Sequence, residues 1–147
     1  DWIKNIIKAV KYYLSFLSVM IIIQAISIGF NIQIPLFGDQ EIPQDFLIIN
    51  KSLFIIIWIS LIAPIIEELY FRNFIWNNIK NKNRNVIQAS LFAIFHLEPS
   101  TLGPLFIYGM LLGKIREKYG IYAAITLHII NNSLATAIIL TLQKFSL

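Results

Sequence analysis

The chain has 147 residues, of which 57% are hydrophobic and 14% are charged, and its mean hydropathy is +0.70. This composition is far too apolar for an ordinary soluble domain and predicts an all-α, multi-pass membrane protein. The net charge of +4 comes from lysines and arginines in short segments between apolar runs, a placement typical of topology determinants rather than of nucleic-acid binding. The absence of cysteine excludes disulfides, thiolate metal sites and a cysteine nucleophile.

The N-terminal part, residues 1–45, is predicted to hold one membrane helix. A basic, amphipathic lead-in at residues 1–11 precedes an uncharged run at residues 12–30. That run is long enough to cross a bilayer, because a spanning helix needs about 20 residues. Residues 31–45 contain prolines, a glycine and acidic residues, which indicate an extramembrane loop. We assign residues 46–147 to the functional core.

The core begins with a long helical pattern at residues 46–79, in which we predict a kink near Pro64 because proline removes a backbone donor. A basic loop follows at residues 80–85. The next two helices, at residues 86–97 and 101–113, are too short to cross the membrane alone. We expect them to be short or re-entrant, which is tolerated where such helices line a cavity.

The chain closes with the charged turn "KIREKYG" and a spanning run at residues 121–142, so about five membrane segments are predicted. On an alternating path, the basic N-terminus, the basic loop and residues 114–118 fall on one side of the membrane, and the acidic loop falls on the other. The positive-inside rule makes the basic side cytoplasmic. We therefore predict a multi-pass protein of the cell membrane with a cytoplasmic N-terminus.

Several polar side chains stand out because they lie inside the predicted apolar helices, where ionisable groups are costly and mark functional sites. Counted at about 1.5 Å per residue from the nearest cytoplasmic loop, they lie roughly 12–20 Å deep. Three helices therefore bring carboxylate, imidazole and amide groups to a common layer. The residues are Glu67, Glu68, Arg72, His96, His128 and Asn132.

Helical spacing separates the two adjacent glutamates. Glu68 and Arg72 are four residues apart, so they can pair on one helix face, either as a structural ion pair or as part of a site. Glu67 lies about 100° away around the helix and is free to point elsewhere. One arginine need not compensate two carboxylates, which favours a functional Glu67.

The remaining positions indicate hydrolysis by water. His128 and Asn132 share a helix face and can point into one cavity, while Phe92 lies one turn before His96 and can wall it. A buried carboxylate, Glu67, near imidazoles indicates general-base activation of water. The imidazole and amide donors can hold an oxyanion, although Asn132 has an alternative use as an interhelical hydrogen-bonding residue.

Three motifs at these positions resemble those of the CPBP membrane proteases, a family of CAAX prenyl proteases and bacteriocin-processing enzymes also called the abortive-infection family. The motif E-E-x-x-x-R is present as "EELYFR" (67–72), F-x-x-x-H as "FAIFH" (92–96) and H-x-x-x-N as "HIINN" (128–132). All three occur in order, each on its own apolar helix. The resemblance covers roughly residues 50–142.

The resemblance implies an intramembrane endopeptidase core in which Glu67 and His96 activate the water. His128 and Asn132 would form the oxyanion hole. The second glutamate and the arginine of the first motif would organise that motif, with the glutamate also close to the water. The CAAX branch of the family implies a membrane-associated peptide or protein substrate, including a lipidated one, and the lipid bilayer is the other expected partner.

The sequence leaves several alternatives open. Glu67, His96 and His128 form an allowed ligand set for catalytic zinc, although the resemblance favours a water attack without metal or other cofactor. The same scaffold is compatible with a non-catalytic bacteriocin self-immunity or peptide-binding protein. Buried carboxylates and histidines also occur in transporters and proton relays. The sequence carries no indication of oligomeric state.

Overall fold

The computed structural model describes residues 1–30 and 53–145. Within these residues the chain is an all-α bundle without strands, so the predicted fold class is confirmed. A short 3₁₀ turn, Pro99–Thr101, joins the third and fourth helices. The acidic loop predicted at residues 31–45 lies outside the described residues. The helices are α1 (Trp2–Gly29), α2 (Leu53–Asn78), α3 (Arg84–Phe95), α4 (Leu102–Tyr119) and α5 (Ile121–Phe145).

Within residues 1–30 and 53–145, three helices are long and apolar enough to cross a membrane. These spans are Trp2–Ile23, Leu53–Asn78 and Ile121–Thr141. Large apolar side chains cover their outer surfaces: Phe54 is 67% exposed and Ile138 is 59% exposed. Such extensive apolar exposure is unfavourable in water and is what a lipid-facing surface requires. The chain is therefore a multi-pass membrane protein.

The predicted end of α4 is wrong. Residues 114–119, predicted as a charged turn, continue the helix as far as Tyr119. Lysine, arginine and glutamate are good helix formers, so charge alone does not stop a helix. The helix ends at Gly120, whose φ of +94° is a conformation that glycine adopts at little cost.

The helix α2 changes its hydrogen-bond register twice. It is π-helical over Trp58–Ile62 and again over Glu68–Ile75. In the first segment the Ala63 N–H bonds back to the Trp58 carbonyl, and Pro64 has no N–H to offer. The Ile59 carbonyl therefore receives no hydrogen bond from the backbone position four residues later, Ala63, or from the one five residues later, Pro64. The structure thus shows a change of hydrogen-bond register before Pro64, and the predicted kink of the helix axis stays a prediction.

The helices α3 and α4 pack closely because α4 carries glycine at two positions one turn apart. A Cβ at Gly109 would lie 3.1 Å from Ala89, and one at Gly113 would lie 1.8 Å from the Asn85 side-chain oxygen. The pair matches the small-xxx-small pattern of close helix pairs in membranes. This contact fixes α3, and with it Phe92, against α4.

The helix α1 packs against α4 and α5 through a buried apolar cluster. Small alanines on α1 and α5 allow the helices to approach each other, and larger aliphatic residues fill the space toward α4. The cluster is made of Ala9, Tyr13, Leu111, Leu112, Ile115, Ala123, Ala124 and Leu127.

Basic residues from separate parts of the chain meet at one end of the bundle. Arg84 lies 3.3 Å from Glu117. The guanidinium groups of Arg84 and Arg116 lie 4.5 and 4.9 Å from the ring of Trp76, which is 1% exposed. On the same end, Lys118 approaches the Tyr12 ring at 6.0 Å. Basic residues of the loop at residues 80–85 and of residues 114–118 therefore lie at one end of the bundle, near Tyr12 of α1, and the side of the membrane that this end faces stays a prediction.

Candidate active site

The buried carboxylate of Glu68 is the centre of a polar cluster between α2 and α5. Its Oε1 lies 3.0 Å from Arg72 Nη1 and 2.9 Å from His128 Nδ1. The side chains of Glu68 and Arg72 are 0% exposed and that of His128 is 3% exposed. The pair expected from the i, i+4 spacing is present, and a histidine from another helix joins it.

Glu67 approaches the other nitrogen of the same imidazole. Its Oε2 lies 3.7 Å from His128 Nε2, and its side chain is 29% exposed. The two adjacent glutamates therefore differ in environment, since Glu68 is enclosed by ionic partners and the Glu67 side chain is partly exposed, although its Oε2 atom is buried. At 3.7 Å the contact is electrostatic rather than a direct hydrogen bond.

Arg72 is held from several directions in the bundle interior. Its Nη2 donates to the Gly109 carbonyl at 3.4 Å, and its guanidinium lies 4.2 Å from the centre of the Phe92 ring. Arg116 Nε donates at 2.9 Å to the Arg72 backbone carbonyl, which lies in the second π segment. Arg72 thus connects α2 to α3 and α4 while it balances the charge of Glu68.

Phe92 contacts both histidines. Its fully buried ring lies 4.7 Å from the His96 ring and 5.8 Å from the His128 ring, centre to centre. His96 Nδ1 lies 2.7 Å from the Phe92 carbonyl. Because a carbonyl only accepts, Nδ1 carries the proton, and in the neutral ring Nε2 keeps its lone pair.

His96 is the least enclosed of the predicted site residues. It follows the last residue of α3 and is exposed. In the described part of the chain, the ion pairs of Glu67 and Glu68 are formed with Arg72 and His128, not with His96. The contact through Phe92 is what connects His96 to the cluster.

Asn132 occupies the gap that Pro64 opens in α2. Its Nδ2 donates at 3.1 Å to the Ile59 carbonyl, which has lost its usual backbone donors. One turn later along α5, Thr136 accepts a hydrogen bond from Ser60 at 3.2 Å. The interhelical use of Asn132 is therefore observed, and the amide nitrogen retains a second hydrogen for another acceptor.

The sequence-based reasoning missed Tyr108. Its ring packs 5.5 Å from His128 and 6.4 Å from Phe92, and its buried hydroxyl has no partner. Glu67 Oε2 and Glu68 Oε2 are also buried without a hydrogen-bond partner. Buried polar atoms rarely stay unsatisfied, so this cluster is suited to a water molecule or a polar substrate group. The signal was available, since Tyr108 is the one polar side chain within "LGPLFIYGMLLG".

The proposed zinc ligands do not come together. No group of three histidine, cysteine, aspartate or glutamate side chains able to hold a metal ion occurs within residues 1–30 and 53–145. Glu67 and His128 are neighbours, but His96 is not placed as a third ligand beside them.

A comparison with protein-family models agrees with the family resemblance that the three sequence motifs indicate. A family model for type II CAAX prenyl endopeptidase Rce1-like proteins matches residues 49–134, which is more than half of the chain and contains all three motifs. Comparisons with curated proteins and with solved structures each return no match. On the strength of the family match, this membrane protein belongs to the Rce1-like family of type II CAAX prenyl endopeptidases.

Proposed function

We propose that the protein hydrolyses a peptide bond of a membrane-associated substrate by the attack of a water molecule activated by Glu67 and His96. The observation that carries the proposal is the approach of two glutamates, Glu67 and Glu68, to the two nitrogens of the buried His128. Such an ionisable cluster is costly inside a membrane bundle and is retained where it has a function.

Glu67 is the better candidate for the general base. Both glutamates have an Oε2 without a hydrogen-bond partner, but Glu68 Oε1 is occupied by Arg72 and His128, whereas the Glu67 side chain is partly exposed. A carboxylate with an unpartnered oxygen in a partly exposed side chain can receive a water molecule and take its proton. The unprotonated Nε2 of His96 is the second acceptor proposed for that water.

The proposed oxyanion donors lie on α5. Glu68 Oε1 lies 2.9 Å from His128 Nδ1 and Glu67 Oε2 lies 3.7 Å from His128 Nε2, so both nitrogens of this imidazole face carboxylates. Asn132 keeps a second N–H beyond the one that it donates to the Ile59 carbonyl. The His128 imidazole and this N–H are the proposed donors to the oxyanion.

In the proposed reaction Glu67 first accepts a proton from water and later donates it to the leaving amine. Water gives a proton to Glu67 as its oxygen bonds to the carbonyl carbon of the substrate, which produces a tetrahedral oxyanion. The carbonyl then re-forms as the bond from carbon to nitrogen breaks. The proton held by Glu67 passes to the departing amine, so the carboxylate is regenerated and one water is consumed for each peptide bond cleaved.

The substrate class follows from the family and from the location of the site. The family model is described as type II CAAX prenyl endopeptidase. The proposed substrate is therefore a lipidated peptide that is cleaved near its C-terminus. The cluster lies on spanning helices, which favours a substrate that enters from the membrane. We place the protein in the cell membrane with its basic end toward the cytoplasm, as the positive-inside rule requires.

The proposal is tested with purified protein in detergent and a pool of membrane-anchored and prenylated peptides, with products identified by mass spectrometry. Wild type should release defined fragments in the presence of a chelator, and His96→Ala should lower the cleavage rate about 10²–10⁴-fold, the usual range for a lost acid–base group. Loss of cleavage under chelator would contradict the metal-free water attack. An absence of fragments with a folded wild type would instead support the non-catalytic immunity or peptide-binding alternative, which no observation of the site favours.

A further inference from the structure

A hydrogen-bond chain runs from α1 to the proposed oxyanion donor. The Tyr13 hydroxyl donates to Asn131 Oδ1. Asn131 Nδ2 donates at 3.5 Å to Asn132 Oδ1, and Asn132 Nδ2 donates at 3.1 Å to the Ile59 carbonyl. The Tyr13 hydroxyl donates, each of the two amides accepts on its oxygen and donates from its nitrogen, and the Ile59 carbonyl accepts, so the hydrogen bonds run in one direction from α1 through α5 to α2.

Tyr13 is firmly placed at the start of this chain. It is 3% exposed and belongs to the apolar cluster that joins α1 to α4 and α5. A buried hydroxyl requires a hydrogen-bond partner, and Asn131 supplies it. The neighbouring residue in the sequence, Tyr12, is 44% exposed, so it serves as a control position next to Tyr13.

This series of hydrogen bonds determines which way the Asn132 amide faces. A carboxamide has two orientations that exchange its oxygen and its NH₂ group, and surrounding donors and acceptors select one of them. The donor from Asn131 requires the Asn132 oxygen on its side, and the Ile59 carbonyl requires the NH₂ group toward α2. The two contacts together select one orientation of the amide and leave its second N–H for another acceptor.

We propose that Tyr13 and Asn131 are positioning residues, which orient the Asn132 amide for oxyanion binding through this hydrogen-bond chain. The inference rests on the proposed function, in which Asn132 supplies an oxyanion donor. It assigns a role to α1, which lies outside the residues 49–134 matched by the family model. It also distinguishes Asn131 from an ordinary neighbour of the third motif.

The test compares kcat and KM of Tyr13→Phe, Asn131→Ala and their double variant with those of wild type and Tyr12→Phe, well below each protein's unfolding temperature in detergent. Tyr13→Phe and Asn131→Ala should each lower kcat about three- to tenfold, the effect of one lost hydrogen bond, with KM unchanged. Because both break the same chain, the double variant should be no slower than the slower single variant. Tyr12→Phe should retain the wild-type kcat.

Two results would overturn the inference. One is wild-type kcat in Tyr13→Phe, and the other is a double variant whose loss is the product of the single losses, since independent residues multiply their effects. An Asn132→Ala arm separates this failure from failure of the proposed function. Full activity in Asn132→Ala would remove the oxyanion role itself, whereas an impaired Asn132→Ala beside a fully active Tyr13→Phe would remove only the chain.

Discussion

At the scale of single residues, the adjacent glutamates differ in burial and in ionic contacts. Glu68 is 0% exposed and touches both Arg72 and His128, whereas Glu67 is 29% exposed and lies 3.7 Å from His128. A buried charge whose partner is removed is strongly destabilising. The same change at the partly exposed Glu67 leaves no enclosed charge without a partner.

We therefore predict that Glu68→Gln lowers the free energy of unfolding by about 3–5 kcal/mol, because it leaves Arg72 buried without its counter-charge. Glu67→Gln should lower it by less than about 1 kcal/mol, the range of substitutions away from such buried features. Unfolding of both variants by denaturing detergent, followed by helix content, measures the difference. Equal stabilities for the two variants would contradict the division of roles.

The residues of the cluster could largely be predicted from the sequence, because charges inside apolar helices are few and conspicuous. Spacing indicated that Glu68 pairs with Arg72, and the contact is present. It did not indicate that His128 would join Glu68 directly, since that depends on how α2 and α5 pack. Tyr108 was missed because a tyrosine in an apolar helix resembles an interface residue until its hydroxyl is seen to be buried.

At the scale of helices, the contact between α3 and α4 sets the position of Phe92 and His96. Buried amides fill the space opposite Gly113: Gln88 Nε2 donates to Asn85 Oδ1 at 2.8 Å and to the Gly109 carbonyl at 3.0 Å. A side chain at position 113 would meet these amides. The glycine is therefore required by a polar network as well as by close packing.

We predict that Gly113→Ala displaces the Asn85 and Gln88 amides and costs about 1–3 kcal/mol, the penalty for buried polar groups left without partners. Gly103→Ala is the matched control on the same helix, because a Cβ there meets nothing within 4 Å beyond its chain neighbours; in the first turn of the helix it should change the free energy of unfolding by less than about 0.5 kcal/mol. Thermal unfolding in detergent compares the two. A Gly113→Ala protein as stable as Gly103→Ala would show that the close approach is not required.

Helix boundaries and registers were less predictable than the helices themselves. Pro64 signalled a disturbance in α2, because a missing N–H is visible in the sequence. The second π segment, Glu68–Ile75, has no such signal, since it contains neither proline nor glycine. Its register is accompanied by a tertiary contact, the donation of Arg116 to the Arg72 carbonyl, which no local pattern encodes.

At the scale of the whole molecule, basic residues that are far apart in the chain gather at one end of the bundle. Arg84 contacts Glu117, and Lys118 lies near Tyr12. Many large apolar side chains along the helices are exposed, such as Phe54 and Ile138. The positive-inside rule predicts that the basic end faces the cytoplasm, and this orientation stays a prediction.

Cysteine labelling can measure the orientation of the protein in the membrane, because the sequence has no cysteine of its own that would also react. We predict that Lys4→Cys and Lys82→Cys react with a membrane-impermeant maleimide from the cytoplasmic side only. Gln40→Cys, in the predicted acidic loop, should react from the opposite side only. Labelling of intact cells and of inverted vesicles measures both, and reaction of Lys4→Cys and Lys82→Cys from different sides would contradict the topology.

The most direct test of the central claim is the cleavage rate of Glu67→Gln on a peptide that the wild type cleaves. The matched control is Glu117→Gln, which makes the same chemical change at the exposed basic end of the bundle. If Glu67 is the general base, Glu67→Gln should lower kcat about 10²–10⁴-fold while it still binds the peptide, and Glu117→Gln should cleave at the wild-type rate. A Glu67→Gln protein that cleaves as fast as Glu117→Gln would contradict the glutamate-activated water mechanism.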